Sequence, residues 1–179
     1  KIQKFPYYDP INHTLITSSF WSHRSKEIES TGLKSDVLLA TYAYQMMDEK
    51  IVNEVIHNRE FQHPKFFQQL FKLLEDKRVL NTIVQLRPST KPIIQMRNEV
   101  RLNYTQTQIK VYKTKTTFTD LLFLYLEASF LTENFYDVPQ IHPQIDDVLN
   151  HMYQYLPNFF YNETSEDNMY LAERIMYQI

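Results

Sequence analysis

Glycine is all but missing from this sequence: Gly32 stands alone among 179 residues, where an average composition of about 7% would supply roughly a dozen. That scarcity excludes whole classes of chemistry. A dinucleotide fingerprint, a phosphate-cradling P-loop and a nucleophile elbow all need glycine so that backbone can turn sharply or approach a ligand closely, and none can be written here. Folds built on many tight primed hairpins are disfavoured for the same reason, although Asn takes positive φ at some positions. Cysteine is absent altogether, which removes disulfide frameworks, zinc-thiolate sites and thiol nucleophiles. A reducing, cytoplasmic setting is the expectation that follows. Lys1 rather than Met opens the sequence, which leaves room for a removed targeting segment.

Long apolar runs are missing too. Residues 121–131 form the longest, about half of what a hydrocarbon core requires, and Glu127 interrupts it. No membrane-spanning helix and no membrane partner are expected.

What is present is enough to fold. Hydrophobic residues make up 43% of the chain and aromatics 15%, with 13 Tyr and 12 Phe spread along it, which argues against general disorder. The length suits one core. The expected architecture is a single, mainly α domain of about six helices over residues 19–179, with one β-hairpin near residues 93–116. Residues 1–18 carry Pro6, Pro10 and the aromatics Phe5, Tyr7 and Tyr8, and read as an irregular arm.

Periodicity places the elements. A first helix is expected over 19–30, with Gly32 at the positive-φ position that ends it. Ser35 would cap a second over 36–57, with Ala43, Met47, Ile51 and Val55 as its buried stripe. Pro64 suits the first turn of a third, with Phe67, Leu70, Phe71 and Leu74 facing inward. After Pro88 and Pro92 the period shifts toward two: Val100, Leu102 and Tyr104 alternate with polar residues, as do Ile109 and Val111, which is the basis for the hairpin. Further helices are expected over 119–133, from Pro143, and from Ser165, where Glu166 and Asp167 place negative charge at the positive end of the dipole. Adjacent aromatics at Phe20-Trp21, Phe66-Phe67 and Phe159-Phe160-Tyr161 cannot both face inward on a regular element, so one of each group should be peripheral.

Charge is the most organised signal. Between residues 87 and 119, Arg87, Lys91, Arg97, Arg101, Lys110, Lys113 and Lys115 face Glu99 alone, a net of +6. From Asp120 onward ten acids face Arg174 alone, a net of -9. The overall charge of -2 therefore conceals a dipolar chain.

Three functional readings follow. The leading one is a non-enzymatic regulatory or adaptor protein that acts by protein contact, self-associating as a homodimer through helical and aromatic surface, with no cofactor. The alternative is a nucleic-acid-binding regulator whose basic ribbon supplies Arg97, Arg101, Lys110, Lys113 and Lys115 to phosphates and Tyr104 and Tyr112 to base stacking. The third is a metal-dependent enzyme. Glu54 and His57 sit at i, i+3, and Asp147 and His151 at i, i+4, so each pair can aim at one ion from one helix face. Glu127, alone in its apolar helix, is expected to pair with a cation from the 97–115 stretch rather than to act as a catalytic acid.

Overall fold

The computed structural model describes residues 6–112, 117–133, 143–152 and 160–179. The described residues are 78% helical and the fold is mainly α, as the periodicity leads one to expect. Among the described residues a short hairpin, β1 (Tyr7–Asp9) and β2 (Thr14–Ile16), precedes a 3₁₀ turn at Ser19–Trp21. Seven α-helices follow: α1 (Lys26–Met46), α2 (Glu49–His57), α3 (Pro64–Leu86), α4 (Lys91–Tyr112), α5 (Phe118–Thr132), α6 (Pro143–Met152) and α7 (Ser165–Met176). The chain divides into two compact units, one comprising Lys1–Met47 and Val79–Val100, the other Asp48–Arg78 and Arg101–Ile179. Helices α3 and α4 each supply residues to both.

The first unit buries Leu39 and Ala43 of α1, Val79, Leu80 and Ile83 of α3, and Ile94 of α4 in one cluster. The hairpin packs on α1, with Tyr7 paired to Ile16 and Asp9 to Thr14. Its turn works without glycine. The Asp9 carboxylate accepts from the N–H groups of Ile11 and Asn12 at 2.9 and 3.2 Å, and His13 takes the left-handed conformation, φ 49°. The hairpin thus falls in the stretch expected to be irregular.

The stretch expected to be a hairpin is helical instead, over 91–112, and 113–116 lie outside the described residues. The reason lies in what the helix buries. Ile94, Arg97, Thr105 and Ile109 are buried, and Arg101 is half-buried between them. These positions recur at three- and four-residue intervals, the helical repeat. Because three of the five are polar, a search for apolar residues alone loses the 3.6 period and finds a spurious alternation.

Gly32 ends nothing. It lies inside α1, with no positive φ, and its role is steric: a Cβ there would come closer than 3.0 Å to three atoms of the Trp21 indole. The break falls instead at Asp48, whose side chain accepts from the N–H groups of Lys50 and Ile51 and caps α2. Ala43 therefore belongs to the core of the first unit, and Ile51 and Val55 to that of the second.

The second unit gathers a larger cluster from α2, the first half of α3, the end of α4, and α5 to α7. Phe66 and Phe67 are both buried in it, contrary to the expectation that one should be peripheral, because α3 is surrounded on most of its circumference. Among the described residues no helix is long and apolar enough to cross a membrane.

Candidate functional site

Each unit buries an arginine with a carboxylate. In the first, α4 carries Arg97 (2% exposed) and α1 carries Asp36 (0%). The Arg97 guanidinium donates to Asp36 Oδ1 at 2.5 Å and to Ser35 Oγ at 2.8 Å. Asp36 Oδ2 accepts from the Ser18 N–H at 2.8 Å, and Ser35 Oγ donates to the Gly32 carbonyl at 2.6 Å. Trp21 closes the assembly: its ring centroid lies 5.6 Å from Arg97 Cζ, within cation–π range. A buried charge this well paired and bonded holds α1, α4 and the 3₁₀ turn in a single arrangement.

In the second unit Arg78 and Glu75 pair along α3, Nη2 to Oε2 at 2.8 Å and Nε to Oε1 at 3.0 Å. Glu75 also accepts from Ser165 Oγ at 2.9 Å and from Asn168 Nδ2 at 2.6 Å, both on α7. Ser165 Oγ in turn accepts from the Asp48 N–H at 3.1 Å. Ser165 is therefore a buried junction rather than a cap. The capping box of α7 belongs to Thr164 and Asp167.

A third pair joins α5 to α4. Glu127 is ion-paired with Arg101 and accepts from Thr105 Oγ1 at 3.1 Å. The expected partnership between Glu127 and a cation of the 97–115 stretch is present, made by a helix rather than a strand.

These pairs decide where the nucleic-acid candidates stand. Arg97 and Arg101 give their charge to internal carboxylates. Lys110, Tyr104 and Tyr112 are exposed on α4, and Lys113 and Lys115 lie outside the described residues. The five described candidates sit on a helix, two of them turned inward, so they do not form a ribbon. The metal candidates are not brought together either. The His57 ring bonds the Asn53 carbonyl at 2.7 Å and the His151 ring the Asp147 carbonyl at 2.7 Å, each i to i-4 along its own helix. Among the described residues no group of three or more His, Asp or Glu side chains is placed to hold a metal ion.

Two surfaces stand out that the sequence reading did not single out. On α7, Met169, Leu171, Ala172, Ile175 and Met176 face the core, which leaves Tyr170, Arg174 and Tyr177 on the outer face at i, i+4 and i+7. Tyr170 is 54% exposed and Tyr177 73%, yet Tyr177 is ordered from below. Phe61 meets its ring edge-on at 5.5 Å and rests on the buried Phe67 at 4.9 Å. Beside this stripe sit Glu173 and, from α2 and the segment after it, Glu54 and Glu60. Burial first, then those two carboxylates, push the Glu173 pKa up. The second surface is an exposed face of α1, a shallow depression formed by Lys26, Glu29, Ser30, Leu33, Lys34 and Val37 of that one helix. Leu33 and Val37 supply its apolar part, with Lys26, Lys34 and Glu29 beside them.

Over 175 residues, 95% of its length, the chain is 28% identical to uncharacterized protein YojO of Bacillus subtilis (strain 168). It spans 27% of that longer protein. No family model matches the chain, and no solved structure does.

Proposed function

We propose that this chain is a non-enzymatic helical module, regulatory or adaptor in role, that works by protein contact and associates with copies of itself. The α7 face carries the reading. Tyrosine and arginine are side chains in which interface energy concentrates, tyrosine because it buries much rigid area at small entropic cost and arginine because its planar guanidinium offers a fixed fork of donors. Here Tyr170, Arg174 and Tyr177 share one face of a helix whose opposite face is anchored in the core. The buried arginines support the same reading from the other side, since Arg97, Arg78 and Arg101 each hold helices together rather than face solvent.

Sedimentation equilibrium across the micromolar range tests it. Mass rising with concentration is the expected result. A strict monomer throughout, with no cross-linked dimer at the top of the range, removes self-association from the proposal.

A further inference from the structure

The segment that covers the buried ion pair of the first unit is joined to α1 by one short, strained link. The hairpin and the 3₁₀ turn at Ser19–Trp21 pack on α1, and their seat is specific. The Ser18 N–H donates to Asp36 Oδ2 at 2.8 Å. The buried Trp21 indole stands where a Cβ on residue 32 would be, a place that Gly32 leaves open. Arg97 Cζ lies 5.6 Å from the indole centroid, and the rings of Tyr8 and Tyr44 meet edge-on at 5.0 Å. These receiving groups all belong to α1 or α4, so a second copy of the chain offers the same seat. The link itself, residues 22–25, holds His23 in the left-handed conformation, φ 69°, which is sterically disfavoured for any L residue with a Cβ. Arg24 keeps it closed: its Nε donates to the Phe20 carbonyl at 3.2 Å, and its Cζ lies 4.4 Å from the Phe20 ring centroid.

We propose that two copies of this chain associate by exchanging residues 7–21, the Trp21 of each filling the Gly32 recess of the other. A short hinge under strain favours such an exchange of identical elements. Straightened, the four-residue link reaches about 14 Å at most. That movement releases His23 from the left-handed region and parts Arg24 from Phe20. The bonds to Asp36, Gly32, Arg97 and Tyr44 are remade in the other copy, so the closed and exchanged forms differ chiefly at the link. His23 pushes toward exchange and Arg24 holds against it. This rests on the self-association reading and assigns to the exchanged segment a contact separate from the α7 face.

The chain has no cysteine, so introduced thiols report alone. Y8C chains and Y44C chains carrying different tags are unfolded together, refolded and treated with a short bis-maleimide. A cross-linked dimer bearing both tags is expected, because position 8 of one copy meets position 44 of the other only when the segments are exchanged. The link is then varied in both directions and association is followed by sedimentation. His23→Gly accepts positive φ without cost and should weaken association about tenfold or more, since two links are relieved in each dimer. His23→Pro, with φ fixed near about -65°, should strengthen it, and Arg24→Ala should do so by a smaller factor. Circular dichroism and the emission of Trp21, the sole tryptophan, check that each variant is folded; should His23→Pro fail to fold, His23→Gly and Arg24→Ala still decide. A wild type that associates without the mixed cross-link, its affinity unmoved by the link variants, overturns exchange and leaves self-association through the α7 face. A wild type that stays monomeric at every concentration removes both.

Discussion

In the unit built from Lys1–Met47 and Val79–Val100, the buried arginine reaches across 61 residues of sequence to its carboxylate. In the other unit Arg78 finds Glu75 one turn away on its own helix, and several hydrogen bonds join that pair to the start of α7: Arg78 donates to Ser165 Oγ and to the Glu163 carbonyl, each at 3.3 Å, while Ser165 and Asn168 donate to Glu75. The chemistry is the same, but in the second unit the charge pair is local and the ties to α7 are several. Where the charge itself spans two helices, losing it strands a buried ion and unties the helices together. Where the ion pair is local, the pair can persist while the long-range tie is lost. The first arrangement should therefore be brittle and the second graded.

The largest effect tests the brittle case. Arg97→Leu leaves Asp36 buried and uncompensated, for which a cost of about 3–5 kcal/mol is expected. That is a large share of the stability of a chain this size. Chemical denaturation followed by Trp21 emission reads this unit directly, because Trp21 lies against Arg97. A loss under about 1 kcal/mol would mean that Asp36 is served by water and that the comparison between the units is mistaken.

Gly32→Ala comes next, and its sign is the informative part. At an open helix position alanine stabilises by roughly 0.5–1 kcal/mol over glycine. Here the added methyl meets the Trp21 indole, and overpacking of this kind costs about 1–3 kcal/mol. The variant should thus be destabilised, with a shifted Trp21 emission maximum in the folded state. A stabilised Gly32→Ala would show that the indole can move aside at little cost.

Much of the fold can be read from the sequence, and the errors share a physical cause. Helices whose stripes are apolar, such as α5 and α6, stand where periodicity puts them. Helix α4 was missed because Arg97, Arg101 and Thr105 occupy its inward face, and a polar residue on that face is invisible to an apolar repeat. Ser35 was expected to cap a helix, since local sequence favours serine there, but it lies inside α1 and a tertiary hydrogen bond from Arg97 claims its side chain; Ser165 opens α7 as expected. Gly32 was expected to supply positive φ. The left-handed positions of the described chain are held by His13, His23 and Glu133, and glycine serves for its size. The outer face of α7 was legible and overlooked, for Tyr170, Arg174 and Tyr177 stand at i, i+4 and i+7 between apolar residues of the opposite phase. The apolar patch on the outer face of α1 was not legible, because nothing in the spacing of Lys26, Leu33, Lys34 and Val37 distinguishes it from an ordinary solvated face.

The graded case predicts a middling effect. Asn168→Ala removes one donor from Glu75 and leaves Arg78 and Ser165 in place. A cost of about 1–3 kcal/mol is expected for a buried carboxylate short of one partner. Trp21 emission and amide exchange in α7 together sharpen the comparison. If α7 amides lose protection while the Trp21 transition stays put, the two units open separately. If both move together, they unfold as one cooperative body, and Arg97→Leu should expose α7 as readily as it exposes α1.

The smallest effect concerns the carboxylate at the edge of the α7 face. Burial, followed by the charges of Glu54 and Glu60, raises the Glu173 pKa, so the folded chain holds this proton more tightly than the unfolded chain. The contribution of Glu173 to stability is then complete below the unfolded carboxylate pKa and is lost as pH rises through the folded value. At neutral pH the ionised side chain opposes folding, and Glu173→Gln should melt at a slightly higher temperature than the wild type. As the buffer is taken down toward about pH 4, the wild type regains what ionisation removed and the difference should close. A variant whose advantage is the same at both ends of that range would place the effect in packing rather than in charge, and the acidic rim would then no longer set the α7 face apart from the aromatic stripe it borders.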